Sequence, residues 1–219
     1  MTKKTVGVVL SGCGFLDGAE IHEATLTLLS LDRRGVKVVP LAPDVEQMHV
    51  VDHVKKAPVE GRRRVMQEAA RITRGDIRDL ATVKASELDA LIFPGGYGAA
   101  KNLCTWAVDG VGMKVNGDVE RLIREMHAAK KPLGFICIAP VIAARVLGHG
   151  VRLTVGDAAD DAAKGIEAFG ARHVARAVEE IEVDPAFKVV STPAYMLGPS
   201  IAPVSQGIDR LVGAVLELA

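Results

Sequence analysis

The chain has 219 residues, of which 49% are hydrophobic and 25% charged, and its 27 Lys+Arg balance its 27 Asp+Glu. Such a composition belongs to a globular protein with a substantial core and excludes a disordered one. A net charge of zero gives no long-range attraction to nucleic acid or to an anionic membrane.

Aromatics are only 4%, so Val, Ala, Leu and Ile fill the interior, as suits parallel strands covered by helices on both faces. The cysteines are Cys13, Cys104 and Cys137. An odd count at long spacing implies neither a disulfide framework nor a zinc knuckle. The start, Met1-Thr2-Lys3-Lys4, has no signal-peptide pattern, and no apolar run is long enough to span a bilayer. A reducing cytoplasm is the expected compartment.

Residues 6–10 read as a strand that ends in the tight turn Ser11-Gly12-Cys13-Gly14. Asp17 or Gly18 is the expected cap of a helix running to about Arg34, with Ile21, Ala24, Leu28 and Leu31 as its buried stripe. Gly35 ends that helix. A second strand over 36–41 follows, stopped by Pro40 and Pro43, and the unit implies a right-handed parallel crossover. Val50-Val51 suggests a strand, 55–61 a loop and 63–74 a helix. Ala90-Leu91-Ile92-Phe93 is a strand ending in Pro94-Gly95-Gly96-Tyr97-Gly98. A helix is expected over 119–129, a strand over 132–136, and after Cys137 a helix to Leu147. Segments 151–155, 180–183 and 189–191 are further strand candidates, and 201–218 is a closing helix. This alternation predicts a single α/β domain over 1–219 with a mostly parallel sheet between two helical layers.

Cys137 stands where an apolar run meets a helical one, in Phe135-Ile136-Cys137-Ile138-Ala139-Pro140. A thiol at such a corner can face a cleft with N–H groups and a helix N-terminus near its sulfur, which lowers its pKa and makes a nucleophile. The alternative is a small buried core residue. Open α/β sheets bind ligands beyond the carboxyl ends of their strands, where the turns at 11–18, 94–98 and 137–140 should meet. Gly95 and Gly96 allow close backbone approach, and N–H groups near Gly96 and Ile138 can form an oxyanion hole; a plain tight turn explains the glycines equally. Gly12 is a candidate for the same substrate-binding rim. Glu20 and Glu23 suit a helix N-terminus through the macrodipole, or one of them stands beside Cys137 to share or move a proton.

Two rival chemistries have weaker support. Gly12-Cys13-Gly14 through Gly18 resembles a dinucleotide fingerprint, yet Asp17, Glu20 and Glu23 would repel a pyrophosphate. His49 and His53 share a face only on a helix, which Val50, Val51 and Val54 disfavour, so no metal is expected. His22, His127, His149 and His173 show no partner pattern. Cys104 and Cys13 read as ordinary buried thiols, and the mouth of the same cleft is the alternative position for Cys13.

Leu10-Ser11-Gly12-Cys13-Gly14 with Asp17-Gly18-Ala19-Glu20-Ile21-His22-Glu23 resembles the opening signature of the ElbB family, which includes the ES-one proteins of animals. Ala70–Gly75, Phe93–Leu103, Cys137-Ile138-Ala139-Pro140 and Thr192–Leu197 carry the resemblance across nearly the whole chain. It implies the PfpI superfamily of class I glutamine-amidotransferase-like folds: a flavodoxin-like sandwich, a nucleophile-elbow cysteine and a homodimer. It also implies that Glu23, with Glu20 second, assists Cys137. The implied activity is cofactor-free conversion of a small aldehyde, glyoxal, to glycolate. Two other readings are a thiol-dependent deglycase or amidohydrolase, and a non-catalytic redox-sensing or interaction protein. One departure stands out: Ile138 follows the cysteine where many superfamily members have histidine, which weakens a protease reading.

Overall fold

The computed structural model describes residues 3–219. Eleven short strands and eight helices occur among them. The strands are β1 (Thr5–Val9), β2 (Lys37–Ala42), β3 (Val51–Asp52), β4 (Ala57–Pro58), β5 (Arg78–Asp79), β6 (Ala90–Phe93), β7 (Leu133–Ile136), β8 (Arg152–Leu153), β9 (Arg172–His173), β10 (Glu182–Asp184) and β11 (Val189–Thr192). The helices are α1 (Ile21–Arg33), α2 (Val65–Ile72), α3 (Tyr97–Lys101), α4 (Trp106–Asp109), α5 (Gly117–Ala128), α6 (Pro140–Leu147), α7 (Asp161–Ala168) and α8 (Ile201–Leu218).

Seven strands form one sheet in the order β10-β11-β7-β6-β1-β2-β5. All its pairings are parallel except β10 with β11. The strand period of two divides the side chains between two cores. Ala90 and Ile92 face α1, α2 and α8, whereas Leu91 and Phe93 face α5, α6 and α7. Phe93 and Phe135 are opposed in register, and their rings stack at 4.9 Å. This is the mostly parallel, helix-covered sandwich that the sequence predicts.

Several boundaries differ from expectation. The cap of α1 is Glu20, not Asp17 or Gly18. Asp17 is instead buried and accepts the Val51 N–H at 2.7 Å, tying the first loop to β3. Ile21 is exposed, and the face of α1 against the protein holds Glu23, Thr27 and Ser30 beside Ala24 and Leu31. Pro40 does not stop β2 but lies within it, opposite Val8. Lys37 and Leu41 exchange the bonds with β1, so alternation turns the missing Pro40 donor toward β5, which pairs only with Leu41 and Ala42. The 55–61 loop contains β4, and the 151–155 candidate shortens to β8, outside the main sheet. Strands β5 and β9 and helices α3, α4 and α7 go beyond the expected elements.

Candidate active site

Parallel pairing brings the carboxyl ends of β1, β6, β7 and β11 to one side of the sheet. Cys137 follows β7 with φ at +62°, a conformation few L-residues adopt. Helix α6 then opens with Pro140 in its first turn, where a missing N–H costs nothing. The positive φ makes the chain turn sharply, and the side chain faces a cleft of about 830 Å³.

The segment after β6 passes close to this corner. A Cβ on Gly95 would stand 2.5 Å from the Cys137 Cβ and 2.8 Å from Glu23 Oε2. Gly96 has φ at +90°, and a Cβ there would stand 2.4 Å from the Glu20 nitrogen. Both positions require glycine for close approach, and Gly96 for its positive φ as well.

Glu23 is completely enclosed. Its Oε2 accepts the Gly95 N–H at 2.9 Å, its Oε1 accepts the Tyr195 N–H at 3.3 Å, and the carboxyl stands beside Cys137. Burial, reinforced by the Glu20 charge, pushes the carboxyl up to about 8 despite those donors. Glu20 plays a different part. Its Oε2 accepts the Glu23 N–H at 2.7 Å as the helix cap, and the residue lines the cleft.

Sequence reasoning expects a depressed thiol pKa at Cys137, and the structure reverses that. Cys137 is only 7% exposed. Burial, then the negative charge of Glu23, pushes its thiol well up, and the Gly96 and Ile138 N–H groups directed at the sulfur offset only part of this. The pair is best described as two acids that share protons. When one proton is lost, either the carboxylate accepts from the thiol, or the carboxyl donates to a thiolate held by two backbone N–H groups.

Gly96 and Ile138 thus stand as expected around the sulfur. Gly95 does not add a third free donor, because its N–H is committed to Glu23. Gly12 lies outside the cleft lining; a Cβ there would meet Gln47 Oε1 and Gly18. Cys13 is also absent from the lining and neighbours Glu68, Arg71, Asp17 and Arg63. The dinucleotide reading fails because the carboxylate of Glu20 already occupies the α1 N-terminus. His49 and His53 flank strand β3, and among the described residues no cluster of three or more His, Cys, Asp or Glu can hold a metal ion.

The cleft also contains residues without an assigned role in the sequence reading. His22 Nδ1 and the Tyr195 hydroxyl share a hydrogen bond of 2.7 Å. Phe15, Tyr97 and Trp106 line other parts of the wall, and Asp160 and Asp161 stand at its rim. The bare motif Glu20-Ile21-His22-Glu23 places His22 on the exposed side of α1 beside the buried acid, but its partner lies 173 residues away.

A mostly parallel α/β sheet covered by helices on both faces is the fold that this chain shares with DJ-1/ThiJ/PfpI-like proteins. Drosophila melanogaster DJ-1beta shares this fold, at a TM-score of 0.59 and 20% identity over 100% of this chain and 96% of its own. The relation to two other proteins is much nearer. Human glutamine amidotransferase-like class 1 domain-containing protein 3, mitochondrial, is 51% identical over 222 residues, spanning 97% of this chain and 82% of the human protein. The rat ES1 protein homolog, mitochondrial, is 50% identical over 97% of this chain and 83% of its own length. The crystal structure of an isoprenoid biosynthesis protein with amidotransferase-like domain from Ehrlichia chaffeensis superposes at a TM-score of 0.92, with 34% identity and 98% and 99% of the two chains covered. No protein-family model matches the chain. The chain belongs to the ElbB/ES1 family.

Proposed function

We propose that the protein is a cofactor-independent glyoxalase that converts glyoxal to glycolate at Cys137 with Glu23 as its acid-base partner. The single observation that carries this reading is the placement of the buried Glu23 carboxyl beside Cys137 at a left-handed corner that opens to the cleft. The thiol proton passes to Glu23, and the sulfur attacks one aldehyde carbon to give a hemithioacetal. The Gly96 and Ile138 N–H groups stabilise the oxyanion that forms. Glu23 returns the thiol proton to that oxyanion, which completes the hemithioacetal and leaves Glu23 a carboxylate beside the carbon that the sulfur now carries. Its carboxylate removes the proton from that carbon, and the neighbouring carbon is reprotonated. The first carbon is thereby oxidised to the thioester level and the second reduced to the alcohol. Water hydrolyses the thioester, releasing glycolate and the thiol, so no external oxidant is needed.

Cys137→Ala should abolish glycolate formation while circular dichroism and melting remain those of a folded protein; ordinary turnover in that variant rejects the scheme. The deglycase reading uses the same thiol, and the size of the cleft favours it as second. Peroxide sensing by the same thiol is the third reading, and turnover of glyoxal separates it from the first. A homodimer remains the proposed assembly, with exposed Val54 and Val111 as surface candidates. The cytoplasm is the proposed compartment on thiol grounds, and the mitochondrial location in the human and rat names is the alternative. Among the described residues no helix is long and apolar enough to cross a membrane.

A further inference from the structure

Glyoxal has four heavy atoms, and a water-sized group takes about 30 Å³. A cleft of about 830 Å³ is left mostly empty by it. Its walls carry the aromatic rings of Phe15, Tyr97, Trp106 and Tyr195. Its acidic groups are Glu20, Asp160 and Asp161, and no lysine or arginine lines it.

The cations close by are already engaged. Lys164 pairs with Asp161 at 2.8 Å and offsets that charge. Lys101 donates to the Leu16 carbonyl at 2.9 Å, with its Nζ 5.2 Å from the Tyr97 ring centroid. His22 is bonded to Tyr195. Neither Glu20 nor Asp160 is held in an ion pair among the described residues. Each caps a helix, Asp160 accepting the Ala162 N–H at 2.7 Å, and a helix terminus supplies only about half an opposing charge. Aromatic side chains and carboxylates around one cavity, with no lysine or arginine in its lining, attract a cation on a flat or apolar body and repel an anion.

We propose that the natural substrate carries its aldehyde on a cationic, ring-sized body that fills this cleft, and that anionic aldehydes are excluded. The aldehyde half rests on the glyoxalase reading; the cation preference does not.

Trp106 is the only tryptophan of the chain and lines the cleft, so its emission reports occupancy directly. Phenyltrimethylammonium and benzoate would be titrated into the full-length protein, with calorimetry as a second measure. The cation should bind at least about tenfold more tightly. In the double variant Asp160→Asn, Asp161→Asn that ratio should shrink several-fold, and asparagine still caps α7. Equal or tighter binding of benzoate, or an unchanged ratio in the double variant, overturns the proposal. Glyoxal turnover is assayed on the same preparation. Turnover without cation preference sinks this inference alone, and cation preference without turnover supports the cation site and sinks the glyoxalase reading.

Discussion

Cys137 and Cys104 are both buried thiols whose pKa burial raises, Cys104 to about 12. Their surroundings are otherwise opposite. Cys104 donates to the Ala99 carbonyl at 3.3 Å and packs within the aliphatic core between the sheet and α5 to α7. Cys137 stands on a left-handed corner, opens to a cleft, and meets a carboxyl group and two backbone donors. Low exposure therefore does not separate an inert thiol from a usable one. The difference lies in whether a neighbour can take the proton and whether donors wait for the charge that is left.

The sharpest break of this comparison is paired substitution. Cys137→Ala should reduce glycolate production to the uncatalysed background, and Cys104→Ala should keep full turnover, read by product assay on equal amounts of folded protein. Next comes the partner. Glu23→Gln should lower kcat by about 10² to 10⁴-fold, the usual range for losing a positioned acid or base. The same variant sharpens the pH argument. With Glu23 pushed up to about 8, its carboxylate is scarce at pH 6. Wild-type kcat/KM should rise about tenfold per pH unit below 8 and level off above it. A profile flat from pH 6 to 9 would contradict proton sharing by this pair.

Stability should carry the opposite trend. The folded carboxyl of Glu23 holds its proton up to about 8, whereas the unfolded one releases it near 4.5. Between those values the native state binds more protons, so this group's contribution is complete below 4.5 and declines as pH rises toward 8. The loss amounts to roughly a few kcal/mol. Denaturant titrations across pH 4.5 to 8 should show that decline in the wild type and a shallower one in Glu23→Gln. The smallest expected effect belongs to the inert thiol: Cys104→Ala should cost about 1 kcal/mol, as for removal of one small buried group.

The sandwich was legible because its strands are nearly unbroken apolar runs and its helices repeat at helical spacing. Ala90–Phe93, Leu133–Ile136 and the closing helix Ile201–Leu218 all form where the pattern places them. The position of Cys137 was legible for the same reason, since an elbow is where one period gives way to another. Its proton affinity was not. Composition near the cysteine says nothing of how deeply the corner is buried, and Glu23 comes from another element. Tyr195, which anchors that carboxylate through its backbone, is 172 residues from it in sequence, so no local spacing announces the contact. The polar inner face of α1 was equally hidden: Ile21 fits the apolar stripe, yet the buried position belongs to the acid two residues later.

The rims of the main sheet consist of β5, two residues long, and β10, three residues long. Beside β10, Arg152 donates to Asp184 through its backbone and to Glu182 through its guanidinium, and Arg176 grips the same glutamate. Brief margins guarded by charge offer little template for ribbon-to-ribbon growth. Crowded or partly loosened molecules are therefore expected to find few bare main-chain rows on the main sheet from which fibrils would start.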